Sequence, residues 1–238
     1  MKSKPGVTLA VVMAALTLTT GMVEAVSFLV LGPVFTAVQT GNLLLLGFAA
    51  AGEGGLSAAA SVSSLAGFVV GALLGARFES SVDAHGHRWF VVALVAEAML
   101  LGLAGVGAWG IGEGEDLAGR HFVVIATVAA AMGLRNVTTM RAHVPDMPTT
   151  VATRALTAFL GVAPITVDPK TASRALIRGR RAASIGAMFA GGLLGAWLLG
   201  EAVRPAVVLL LVAGVVLVTA AGFGFVSRHR ILEPAERG

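Results

Sequence analysis

The chain is 238 residues long, 56% hydrophobic and only 13% charged, with a mean hydropathy of +0.87. That charged fraction is about half that of an ordinary soluble domain, which excludes a water-soluble globule and points to an integral membrane protein. Zero cysteines exclude disulfides and thiolate metal sites, and the net charge of +4 sits on loop Lys and Arg, where it reports membrane orientation rather than nucleic-acid binding.

Apolar segments run, in chain order, over 7 to 31, 34 to 52, 57 to 76, 89 to 110, 121 to 141, 147 to 163, 182 to 201 and 205 to 226. A spanning helix needs about 20 residues, so six to eight crossings fit and no separate soluble domain does. The first segment imitates a secretory signal, with Lys2 and Lys4 before an apolar run and Val23-Glu24-Ala25 as a small-residue cleavage site. Its hydrophobic stretch continues through Phe28, Leu29, Val30 and Leu31, too long for a signal core, so it is expected to stay in the folded unit.

Two segments are weak. The second opens with Gln39, Thr40 and Asn42, and the sixth is preceded by Asp146 and carries Arg154, with Pro148 and several threonines nearby. A charge at the bilayer centre costs a few kcal/mol, which makes the sixth a poor independent span.

Self-comparison suggests duplication. Gly71-Ala72-Leu73-Leu74-Gly75-Ala76 returns as Gly191-Gly192-Leu193-Leu194-Gly195-Ala196, 120 residues later. Upstream an offset of 112 pairs Gly21 with Gly133, Glu24 with Asn136 and Thr40-Gly41-Asn42 with Ala152-Thr153-Arg154. The order of strong and weak segments also matches, so the single membrane domain 1-238 reads as repeat 1 over about 7-110 and repeat 2 over about 121-226, with a basic cytoplasmic loop at 164-181. Chance similarity between Ala/Gly/Leu-rich helices is the alternative.

Two topologies compete. If both weak segments dip in and return, six spans remain, and the N-terminus, 77 to 88, 164 to 181 and the C-terminal tail together hold twelve Lys/Arg, leaving Arg120 and Arg204 outside. If every segment crosses, eight spans result, Arg77 and Arg88 move outside, and the acidic loop with Glu113, Glu115 and Asp116 moves inside. The positive-inside rule favours the six-span form, in which the halves are inverted copies and both termini are cytoplasmic. Trp89 and Trp109 bracket the fourth segment about 30 Å apart, one at each interface.

Gly67, Gly71 and Gly75, echoed by Gly191 and Gly195, lie at four-residue spacing and suit close helix packing. Glu24 lies mid-span, so its carboxylate should face a cavity or a partner. It is either a proton- or cation-coupling group or one half of a structural pair with Arg135. Gln39, Thr40, Gly41 and Asn42 form a polar turn that fits an unwound backbone facing a solute, with Thr149, Thr150, Thr153 and Arg154 in the equivalent place and Arg135 and Asn136 opposite Glu24. A helix N-terminus at the midplane together with Arg154 would favour an anion. The bland alternative is that these groups only cap short helices. Lys170 to Arg181 is an orientation signal at anionic headgroups. Gly52-Glu53-Gly54-Gly55 is a turn, since it lacks the Lys and Ser/Thr of a phosphate cradle. The five histidines lie mostly in loops or at span ends, no hydrolase constellation is present, and neither an enzyme nor a cofactor is expected.

Gly21-Met22-Val23-Glu24-Ala25-Val26-Ser27-Phe28, then Val34-Phe35-Thr36-Ala37-Val38-Gln39-Thr40-Gly41-Asn42, and later Ala131-Met132-Gly133-Leu134-Arg135-Asn136, resemble the hallmarks of the YoaK family, the domain of unknown function 1275. The resemblance covers nearly the whole chain. It implies a six-span bacterial inner-membrane protein without an assigned biochemical function. That family typically has Asp at the position of Glu24 and Gln at that of Arg135, and its second Thr-rich turn survives here only as Thr149-Thr150 and Thr153-Arg154.

The resulting expectation is an all-α membrane protein of about six transmembrane helices plus two short re-entrant helices. It would be a small-solute transporter or channel with Glu24, Gln39, Thr40, Asn42, Arg135, Asn136, Thr149, Thr150, Thr153 and Arg154 along the path. Its partners would be the lipid bilayer, an unidentified small solute and, in an oligomer, further copies of itself. The competing class is a non-transporting scaffold, assembly or lipid-binding protein.

Overall fold

A computed structural model describes residues 7–82, 88–112, 114, 117–142 and 171–232. They form seven helices and no strand: α1 Val7–Leu29, α2 Gln39–Ala50, α3 Ala58–Val82, α4 Arg88–Gly107, α5 Gly119–Arg141, α6 Thr171–Gly200 and α7 Pro205–Leu232. All but α2 contain a stretch long and apolar enough to cross a bilayer, so the protein is an all-α, multi-span membrane protein. Large apolar side chains cover its outside, with Phe189 and Val218 more than 70% exposed, as a lipid-facing surface requires.

Helix directions follow from close approaches at glycines. Gly67, Gly71 and Gly75 of α3 meet Ala126, Ala130 and Leu134 of α5 in ascending order, so these helices run parallel. Gly191 and Gly195 of α6 meet Leu18 and Met22 of α1, again parallel. Gly105 of α4 faces Leu210 of α7 while Val91 faces Gly224, so that pair is antiparallel. Glu97 and Gly107 of α4 meet Arg135 and Val124 of α5, so these two run antiparallel, and the connection 201–204 reverses the chain between α6 and α7. The starts of α1, α4 and α6 therefore share one end of the bundle and those of α3, α5 and α7 the other. The stretch between α1 and α3, which holds the first weak segment, therefore starts and ends at the same end and does not complete a crossing. The eight-span alternative does not survive this arrangement.

The two close-packed pairs correspond position by position. Gly71 lies on Ala130 and Gly191 on Leu18, where Gly71 and Gly191 are 120 residues apart and Ala130 and Leu18 are 112 apart. The same offsets carry Gly133 against Phe68 and Ala72 into Gly21 against Met188 and Gly192. A methyl group on Gly71 or Gly191 would fall on a backbone carbonyl, so the small residue is what lets these helices touch.

Segment boundaries shift in two places. The weak stretch 34 to 52 resolves into a non-helical lead-in followed by α2. The basic stretch expected as a loop is helical from Thr171, because Ala, Leu and Arg are good helix formers and no proline interrupts them. The 30 residues of α6 extend about 45 Å, so its basic first turns project beyond a hydrocarbon core of about 30 Å. Trp89 and Trp109 mark opposite ends of α4, stacked respectively by Arg141 and Arg204 at 5.2 and 5.5 Å from the ring centroids.

Candidate functional site

α1 stops because Gly32, at φ +115°, and Pro33 cannot continue a helix. The chain then folds back along α1 instead of leaving the membrane. Ser27 Oγ donates to the Val34 carbonyl at 2.7 Å, and the amides of Thr36, Ala37 and Val38 all point at Glu24. Glu24 Oε1 accepts from them at 3.2, 2.5 and 3.3 Å, and Oε2 accepts from Thr36 at 3.3 Å. These donors belong to the non-helical lead-in and to Val38, the N-cap of α2, which has no side chain able to cap the helix. A carboxylate from α1 thus satisfies the backbone just ahead of α2. Glu24 lies five residues before the end of α1, so the re-entrant loop reaches about 7 Å into the span.

Asn42 closes the loop on itself. Its Oδ1 accepts from Phe35 N at 2.9 Å, and its Nδ2 donates to Phe35 O, Gln39 Oε1 and Ser64 Oγ at 2.5, 2.8 and 3.0 Å. Ser64 Oγ, one to two turns into α3, donates to Phe35 O at 2.6 Å, and Gln39 Nε2 donates to Thr36 O at 2.8 Å. Gly41 is required between Thr40 and Asn42 because a Cβ there would lie 2.6 Å from the Phe35 ring. In a lipid environment every irregular backbone group must find such partners, and this loop obtains them from α1, α2 and α3.

Beside Glu24 is a cavity of about 400 Å³ between α1, the loop and α6. Among the described residues Glu24 is the one ionisable residue lining it. Phe28, Phe35, Val38, Met188 and small residues form the walls, and the Phe28 and Phe35 rings stack with centroids 5.1 Å apart. Glu24 is half-buried and forms part of the lining.

A second polar centre lies deeper. Arg135 of α5 is fully buried and pairs with Glu97 of α4, which is 1% exposed. Arg135 Nε and Nη2 both donate to Glu97 Oε1, the former at 2.9 Å, while Nη1 donates to Leu16 O and Thr20 Oγ1 of α1, each at 2.8 Å. One side chain thus ties three spans together.

One expectation is corrected here. Arg135 does not pair with Glu24. It meets α1 one turn away, at Thr20, and its counterion is Glu97. The amides of 36–38 are taken by Glu24, while Arg154, expected with a helix N-terminus to favour an anion, lies outside the described residues. Thr40 is exposed on α2 and makes no contact with the cluster. Asn136 is half-buried beside Arg135, with its carbonyl accepting from Thr139 Oγ1 at 3.1 Å. Thr149, Thr150, Thr153 and Arg154 lie outside the described residues. Among the described residues no group of three His, Asp or Glu could hold a metal ion.

Sequence reasoning missed Ser27, Ser64 and Glu97. Glu97 had a signal: two mid-span charges of opposite sign, Glu97 and Arg135, are far cheaper paired than apart.

A family model described as "Protein of unknown function (DUF1275)" matches residues 12–222. The chain belongs to this family. The match takes in both polar centres and all or most of each of the six long helices of this DUF1275 protein. No curated protein and no solved structure matches the chain.

Proposed function

We propose that this protein moves a small solute across the bilayer, as a carrier or channel built from two inverted repeats, about 7-110 and 121-226. The observation that carries the reading is the half-buried Glu24 carboxylate, held inside a span by a re-entrant loop and facing a cavity. Ionisable groups at that depth are costly and mark solute or ion pathways, and discontinuous helices in one half of a repeated bundle are where such sites form. The offset-matched glycine contacts support the duplication. Gln39, Asn42 and Ser64 act as positioning residues that fix the loop. Arg135 and Glu97 hold α1, α4 and α5 together across the repeats. The Lys/Arg balance of the sequence, twelve in the N-terminus, 77 to 88, 164 to 181 and the C-terminal tail, supports cytoplasmic termini in a bacterial inner membrane. No catalytic role is assigned.

A second reading has its own observation: Glu24 accepts from three amides and so already has a structural task, as in a scaffold. Reconstituted wild type and Glu24→Gln, compared for flux of a solute panel in proteoliposomes, separate the two. Transport predicts flux that Glu24→Gln abolishes while the fold persists. Equal flux through both proteins would mean that Glu24 is not the coupling group, and no flux through either favours the scaffold.

A further inference from the structure

We propose that the Glu24 groove binds an amphipathic organic cation, an ammonium group carrying apolar substituents. The proposal rests on the reading of Glu24 as the solute site and adds the chemical class of the solute.

Charge decides first. When ionised, Glu24 brings one negative charge to the groove, and among the described residues no Lys, Arg or His lines it. The loop amides, which alone would suit an anion, are all engaged by Glu24. Oε1 accepts three N–H groups, but Oε2 accepts only one, at 3.3 Å, and a carboxylate oxygen has room for more.

The walls decide the rest. A bare alkali or alkaline-earth ion needs about six oxygen ligands, and this groove offers a single carboxylate among Gly, Ala, Val, Leu, Met and Phe. Apolar walls suit alkyl or aryl substituents, and the stacked Phe28 and Phe35 add the negative π-surface that attracts ammonium groups. About 400 Å³ is within the range of small-molecule pockets. Phe28 and Leu29 at its edge are 41% and 51% exposed toward the lipid side, giving a ligand with apolar substituents a compatible approach.

Equilibrium dialysis of the purified full-length protein against labelled benzyltrimethylammonium tests this, with benzoate and neutral neopentylbenzene as shape-matched controls. Saturable binding of the cation alone is expected, at least tenfold weaker in Glu24→Gln. Gly192→Val should weaken it as well. Gly192 lines the groove, and its Cβ would come no closer than 4.0 Å to the Gly21 carbonyl, so this variant fills space without disturbing Glu24 and decides the matter should Glu24→Gln fail to fold. Benzoate or the neutral compound binding as tightly, or cation binding unchanged in Gly192→Val, overturns the proposal. Cation binding without flux in proteoliposomes would refute transport and leave the site standing. Flux of another solute without cation binding would do the reverse.

Discussion

Two carboxylates lie within the spans, and the protein neutralises them in different ways. Glu97 meets a full counterion, Arg135, in a closed interior where both side chains are at most 1% exposed. Glu24 meets only backbone amides and stays open to a cavity. A guanidinium cancels the charge and leaves little electrostatic reason for anything else to bind. Amide dipoles stabilise a carboxylate without cancelling its charge, so a cation still experiences it. The first arrangement holds helices together, and the second suits a site.

The largest effect is expected where the closed pair is broken. Arg135→Leu or Glu97→Leu leaves one charge buried without its partner and should cost about 3–5 kcal/mol. The double change Arg135→Leu with Glu97→Leu should recover most of that loss, because both charges go together. Denaturation in detergent micelles measures all three. A double variant no more stable than the singles would mean that Arg135 acts mainly through Leu16 and Thr20.

Next come the helix contacts that carry both centres. Gly71→Leu and Gly191→Leu each drive a side chain into a carbonyl of the facing helix, and should cost about 2 kcal/mol or more and lower folded yield. Because the two positions correspond across the halves, similar losses are expected at both. Thermal stability in detergent unchanged at either position would break the correspondence. A smaller effect is expected in the loop, where Asn42→Ala strands the amide of Phe35 and leaves its carbonyl only the Ser64 hydroxyl. The expected cost is about 1–3 kcal/mol, and Ser64→Ala should cost less because Asn42 continues to bond Phe35 O.

How far the sequence discloses this architecture depends on the range of each interaction. The six spans are legible because about 20 consecutive apolar residues are a local property. The break after α1 is legible in Gly32-Pro33, and the polar turn in Thr40-Gly41-Asn42. The use of Glu24 is only half legible: a mid-span acid demands partners, but that these are the amides of 36–38 depends on how the loop folds back. The Glu97 to Arg135 pair crosses 38 residues and two helices, and the plausible alternative, Glu24 with Arg135, was equally consistent with composition. Helix directions became legible only once the glycine stripes were matched to the residues that they touch.

The smallest expected effect on stability gives the sharpest comparison, because one isosteric change can be made at both carboxylates. At Glu97, Gln removes the counterion and leaves Arg135 charged in an apolar interior, so the loss should approach that of Glu97→Leu. At Glu24, the Gln carbonyl oxygen can still accept the Thr36, Ala37 and Val38 amides, and no buried cation is left unpaired. The loop should survive at a cost of about 1 kcal/mol, the difference between charged and neutral hydrogen bonds. Unfolding of the two Gln variants side by side reads this directly. If Glu24→Gln proves as destabilising as Glu97→Gln, the charge at Glu24 is structural in its own right and the distinction between a closed centre and an open one fails.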